Sequence, residues 1–216
     1  MADASLRVQG DEPIGTISPR LYGHVAEHLG RCCYDGLWVG RQQTEIPADG
    51  RFHNDVVALE GFHRQCRVLT LANLVQIVNV LQAPVMTDGA SFWRTPTYDV
   101  FQLHPMHLNA TALPIDVTSG PSPPDGASAI SGTVSQSGAG VTITLINAHR
   151  REDVEISVGG VPRTGIATGQ ILTASTPAAE NDATSPGRVV PIPLSAFPDG
   201  AANWRVTLPP HSIATI

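Results

Sequence analysis

Val141-Thr142-Ile143-Thr144-Leu145-Ile146 sets Val141, Ile143 and Leu145 on one side of an extended chain and the two threonines on the other. Side chains alternate across a strand with a period of two, so this run reads as a half-buried strand. Comparable short runs lie on both sides of it: Thr95–Leu103, Ala112–Val117, Ile130–Gln136, Val154–Val158, Gly169–Ala174, Val189–Leu194 and Trp204–Leu208. A last run ends at Ile216, and turn clusters at 121–126, 137–140, 159–160 and 198–200 separate the runs. About eight strands at this spacing predict a β-sandwich or jelly roll. The 20 glycines and 18 prolines in 216 residues fit a chain of many short segments.

The N-terminal part has a different texture. Ser5–Gln9 and Gly15–Tyr22 read as strands, and residues 34–53 as loop. Between Asp55 and Gln82 there is no proline, Gly61 alone interrupts the helical pattern, and Pro84 supplies a stop. One long helix over 55–82 is therefore expected, with Asn54 as its cap. Thr70, Asn73, Gln76, Asn79 and Gln82 would form a spiralling polar row on an apolar cylinder. The expected organisation is residues 1–84 as strands, loop and helix, and residues 85–216 as the sandwich.

Composition narrows the function classes. Hydrophobic residues make up 42% and charged residues 15%, a balance that folds. The net charge is −6 and no basic cluster is visible, which argues against nucleic acid. The most apolar stretch, Val68–Val85, is broken by amides, so no membrane span is expected. Three cysteines, Cys32, Cys33 and Cys66, do not make a disulfide framework. With no signal peptide visible at the start, a cytoplasmic protein is expected. His24 and His28 followed by Cys32 and Cys33 have partial zinc-site spacing, but the local sequence reads as strand and loop. No metal and no cofactor are expected. His104 and His107 read as ordinary sandwich residues, and Cys66 as a buried, inert thiol within the helix. There is no Walker-type glycine loop and no Gly-x-Ser-x-Gly elbow.

Two blocks carry a resemblance. The first holds Leu21-Tyr22-Gly23-His24, Glu27-His28-Leu29-Gly30-Arg31 and Tyr34-Asp35-Gly36. The second runs from Phe62-His63-Arg64 through Ala72-Asn73-Leu74-Val75-Gln76-Ile77-Val78-Asn79 to Thr95-Pro96-Thr97-Tyr98. Together they resemble the α-L-arabinofuranosidases of glycoside hydrolase family 51. The resemblance implies that Gly50–Leu59 is the first helix of a catalytic barrel and that the second block is its last helix, followed by the C-terminal sandwich. Leu59-Glu60-Gly61-Phe62 joins the two directly. A (β/α)₈ barrel needs about 200–250 residues, more than the chain has left outside the sandwich. Most of the barrel is therefore expected to be missing, and the long helix to be a fusion of its two ends.

Retaining glycosidases need two carboxyl groups about 5–5.5 Å apart. The resembling family places its acid/base glutamate after an asparagine. None of Glu12, Glu27, Glu45, Glu60, Glu152, Glu155 and Glu180 follows one, and none lies in a recognisable nucleophile segment. Glu27 and Gln76 resemble residues that hydrogen-bond the sugar, which makes them the candidate substrate contacts. Glu27 and Asp35 are the first carboxylates to test for catalysis. Three readings stay open: a weak exo-acting hydrolase on arabino- or xylo-oligosaccharides using a site of its own, a non-catalytic carbohydrate-binding or assembly module, or a decayed gene product with no selected role. Loss of the barrel would uncover apolar surface, so a homo-oligomer through the helix 55–82 and the uncovered sandwich face is expected.

Overall fold

The computed structural model describes residues 2–25, 51–75, 77–79, 83–121, 129–161, 166–176, 178–200 and 202–216. The N-terminal elements are strands β1 (Ala2–Val8), β2 (Gly15–Thr16) and β3 (Gly23–Val25), helix α1 (Arg51–Arg64) and strand β4 (Asn73–Val75). A hairpin of β5 (Val85–Asp88) and β6 (Ser91–Arg94) leads into helix α2 (Pro96–Gln102). The remaining strands are β7 (Thr111–Leu113), β8 (Ile115–Ser119), β9 (Ile130–Ser137), β10 (Gly140–Asn147) and β11 (Val154–Gly159). They are followed by β12 (Ala167–Leu172), β13 (Ile192–Asp199), β14 (Asn203–Leu208) and β15 (Ser212–Thr215).

Eleven strands form one sheet that folds over on itself, in the order β2-β7-β9-β10-β15-β12-β13-β14-β11-β1-β8. The fold line is β13. Its first half, Ile192–Ala196, pairs with β12, and its second half, Phe197–Asp199, pairs with β14. A strand that passes from one layer to the other is how two packed sheets share a corner. The inner faces meet in a core that includes Leu6, Val134, Leu145, Ile156, Val206 and Leu208. The expected sandwich is therefore present, and the face of β10 marked by Ile143 and Leu145 lies in its core. The N-terminal strand β1 is part of this sandwich. It runs parallel to β11 and antiparallel to β8, and sends Ala4, Leu6 and Val8 inward.

The single helix expected over 55–82 is not formed. Helix α1 crosses the Leu59–Phe62 junction but ends at Arg64, and residues 65–68 are turns. Downstream, β4 pairs in parallel with β3, with Gly23 opposite Asn73 and Val25 opposite Val75. An apolar run with scattered amides satisfies a strand as well as a helix, and the non-local pairing with β3 decides between them. Val68, Leu71, Ile77 and Val78 are accordingly exposed rather than on a helix face.

Two expected strands are also helical. In Gly15–Tyr22 only the first two residues are extended. Pro19–Tyr22 is a 3-10 turn, with Pro19 at its start and the Ser18 Oγ accepting the Arg20 N–H at 3.3 Å. Thr95–Leu103 contains α2, with Thr95 at the cap position and Pro96 at N1, where proline's missing N–H costs nothing.

Candidate functional site

The sequence-predicted substrate contacts follow the C-terminal ends of β3 and β4 in the chain. The two strands are parallel neighbours. In sequence, Gln76 directly follows β4 and Glu27 comes two residues after β3. In α/β barrels the loops after the strands carry the chemistry. Glu27, Asp35 and Gln76 themselves lie outside the described residues, as do His28, Cys32 and Cys33. The two strands approach closely at Gly23, where an added Cβ would displace the Asn73 side-chain amide and lie 3.1 Å from the Ala72 carbonyl oxygen. The Gly23 N–H donates to the Ala72 carbonyl at 3.1 Å, and the Ala72 N–H to Arg20 at 3.2 Å.

Below this pair lies a buried polar cluster not anticipated from sequence. Tyr22 from the 3-10 turn, His63 from α1, and His104 and His107 from the segment after α2 converge. The His63 ring centroid is 5.0 Å from that of His107 and 5.8 Å from that of His104, and His104 and His107 are 5.9 Å apart. All three imidazoles are at most 1% exposed. The Tyr22 hydroxyl is hydrogen-bonded to His63 Nε2, and burial pushes this phenol well above its usual range, so it stays neutral. His104 Nδ1 donates to the Val100 carbonyl at 2.6 Å. His107 holds the Ser135 and Thr144 hydroxyls, each at 2.8 Å, and Thr144 in turn bonds Thr215 at 2.8 Å. Thus His107 ties the segment after α2 to β9 and β10. The signal available in sequence was that Tyr22 and His63 both fall in the two resembling blocks, but nothing local links them to His104 and His107.

Burial holds the imidazoles neutral. His104 is lowered to about 4 and His107 to about 3; His63 drops to about 2, with further lowering by His107, His104 and Arg64. Burial acts oppositely on two carboxyls. Glu60 is pushed up to about 7, partly offset by Arg64 at 3.4 Å, and Asp99 up to about 6, partly offset by Arg94 at 4.0 Å. The unfolded imidazoles take up protons below about 6.5, so their stabilising contribution is complete above that pH and is lost as pH falls towards the folded values. The two carboxyls oppose this: their contribution is complete below their unfolded values and is lost as pH rises through 6–7. Three against two leaves about one net proton, or about 1.4 kcal/mol per pH unit. Urea unfolding should therefore give lower stability at pH 4.5 than at pH 6, and a flat or rising value on acidification would contradict these assignments.

None of these groups suits glycoside chemistry. Glu60 and Asp99 are at most 1% exposed, so no sugar reaches them. Cys66 is buried against Ile17, Leu21 and Ala112 in the turn after α1 rather than within it, and burial raises its thiol. Among the described residues no group of three or more His, Cys, Asp or Glu could hold a metal ion. An apolar cleft of about 240 Å³ at one end of the sandwich is walled by residues such as Val141, Val161 and Trp204. A more open cleft of about 520 Å³ borders α1 and holds Glu12, Arg64, Gln65 and Arg67. Neither brings two carboxylates together.

The architecture is that of a β-sandwich carrying a helix and a parallel strand pair at one edge. The chain belongs to the α-L-arabinofuranosidase C-terminal domain family, whose model matches residues 56–212. It is 36% identical over 165 residues to an intracellular exo-α-L-arabinofuranosidase of Bacteroides ovatus, covering 74% of this chain and 32% of that protein. The crystal structure of the family 51 arabinofuranosidase from Xanthomonas axonopodis pv. citri aligns with a TM-score of 0.70 at 32% identity, over 76% of this chain and 34% of that one. A thermostable family 51 enzyme from Thermotoga petrophila aligns over 93% of this chain with a TM-score of 0.67, and at 17% identity it shows the fold alone. The chain spans about a third of the length of the relatives it matches. Among the described residues no helix is long and apolar enough to cross a membrane.

Proposed function

We propose that this chain is a non-catalytic carbohydrate-binding module of arabinofuranosidase descent, holding an arabinose or xylose unit of hemicellulose oligosaccharides beside the ends of β3 and β4. One observation carries the reading: β3 and β4 are in-register parallel neighbours, and the two sugar-contact candidates follow the same ends of these strands in sequence. The first and last strands of a closed barrel are neighbours in the same sense. On this reading the strands that would lie between them in a full-length relative, with the two catalytic carboxylates, are absent from the chain. Carboxylate and amide groups suit sugar hydroxyls because they offer several acceptors and donors. Titration calorimetry with arabino- and xylo-oligosaccharides should give saturable binding. Glu27→Gln should weaken it at least tenfold, since a hydrogen bond involving a charged group is worth about 1.5–3 kcal/mol, and Gln76→Ala a few-fold, since a neutral one is worth about 0.5–1.5 kcal/mol. Absence of saturable heat, or binding indifferent to both changes, would discard the module.

A further inference from the structure

The buried ionisable side chains are not spread through the molecule. Glu60, His63, Asp99, His104 and His107 are the buried His, Asp and Glu residues among those described, and all fall between residues 60 and 107. The inter-sheet core contains none. These groups lie at the seam where α1, α2 and the 3-10 turn meet the sandwich. Apolar contacts flank them: Ala58 and Leu59 of α1 pack with Val100, Ile146 and Ile213. Two ring atoms at the seam, His63 Nδ1 and His104 Nε2, are buried with no hydrogen-bond partner. Because His104 Nδ1 donates to the Val100 carbonyl, its Nε2 is left as a bare lone pair.

We propose that the histidine seam is an acid-operated latch, in which protonation of His63, His104 and His107 detaches α1 and the strand pair β3–β4 from a sandwich that stays folded. His104 Nε2 is a buried basic site waiting for a proton, and three rings within 6 Å cannot all carry charge there. The groups facing the cluster offer little relief. Arg64, on α1 with His63, adds positive charge, and Tyr22 stays neutral. Glu60 takes its own proton at about 7 and so is uncharged once the imidazoles are challenged, and Asp99, which faces Arg94, follows at about 6. Protonating His107 also converts Nδ1 and Nε2 into simultaneous donors and forces Ser135 and Thr144 to accept together. Among the described residues the inter-sheet core holds no buried His, Asp or Glu, so no such group of its own titrates over this pH range.

The test is hydrogen exchange at pH 7.5, 6.0 and 4.5, with rates corrected for intrinsic pH dependence. Peptides covering 51–64 and 96–107 should lose protection at least tenfold between pH 6.0 and 4.5, while those from β10, β14 and β15 keep theirs. In His63→Gln/His107→Gln, which keeps hydrogen-bonding groups but cannot titrate, the opening should move to lower pH. Uniform loss of protection, retained protection of 51–64 at pH 4.5, or opening at an unchanged pH in the variant would each overturn the latch. Should the variant not fold, proton titration of the histidine ring signals in the unmodified protein decides. Three rings that stay neutral until the seam opens agree with it, and three that titrate near 6.5 with the seam closed refute it.

Discussion

Gly169→Ala is expected to leave no stably folded protein. Gly169 lies on β12 beside β15, and a Cβ at this position would overlap the Thr215 carbonyl oxygen and lie 2.8 Å from the Ile216 Cα. The obstacle is backbone, not the end of a flexible side chain. Strand β15 cannot yield, because its other edge is bonded to β10, with Thr144 opposite Thr215. Overpacking in a well-packed core costs about 1–3 kcal/mol, and a clash between two strands of one sheet should exceed about 4 kcal/mol. That is most of the stability of a domain at the low end of the ordinary range of about 5–15 kcal/mol. Gly187→Ala is the control: nothing lies within 4 Å of its Cβ, so the change should stay within about 0.5 kcal/mol. Urea unfolding of the soluble fraction reads both. A Gly169→Ala protein as stable as the parent would mean that β12 and β15 do not pair in this register.

Asn147→Asp should be nearly as damaging. Asn147 is fully buried at the end of β10. Its Nδ2 donates to the carbonyls of Glu152, Leu208 and Pro209 at 2.9, 3.0 and 2.9 Å, and its Oδ1 accepts the His149 N–H at 3.0 Å. One side chain thus ties the β10–β11 loop to the turn after β14. Aspartate would set a carboxylate oxygen against three carbonyl oxygens in a buried site, whereas alanine would only leave them unpaired. Each unsatisfied buried group costs about 1–3 kcal/mol, so Asn147→Ala should lose about 3–4 kcal/mol and Asn147→Asp more. Equal stability of the two variants at pH 7 would show that the site is wet rather than buried.

The sandwich is legible in the sequence because one face of each strand is buried, and a period of two survives in residues such as Val154, Ile156 and Val158. Where tertiary contacts decide, the pattern misleads. The Val68–Leu81 stretch is apolar enough for a buried helix, yet the β3 partner lies far away in sequence and draws Asn73–Val75 into a strand. Thr95-Pro96 carries a helix-start signal, with Thr95 at the cap position and Pro96 at N1, but the residues after it are β-type. The histidine seam is invisible locally, since His63 meets His104 and His107 only through the packing of α1 against α2. The family is written in short motifs, whereas the geometry of a sugar site depends on distances that no spacing encodes.

We propose that this relative of arabinofuranosidases binds sugar without hydrolysing it. The described clefts hold no pair of carboxylates, the buried ones are shielded from solvent, and no glutamate in the chain follows an asparagine. On the proposed reading the chain lacks both the acid that protonates the leaving group and the nucleophile that forms the covalent intermediate, the two groups a retaining mechanism needs. The direct measurement is turnover of an aryl α-L-arabinofuranoside, and of the matching xyloside, by purified protein between pH 5 and 7, alongside Glu27→Gln and Asp35→Asn. No release of the aryl group above the uncatalysed rate is expected for any of the three proteins. Robust turnover by the parent that disappears in Glu27→Gln or Asp35→Asn, with the fold intact, would contradict it and establish a hydrolase with a site of its own.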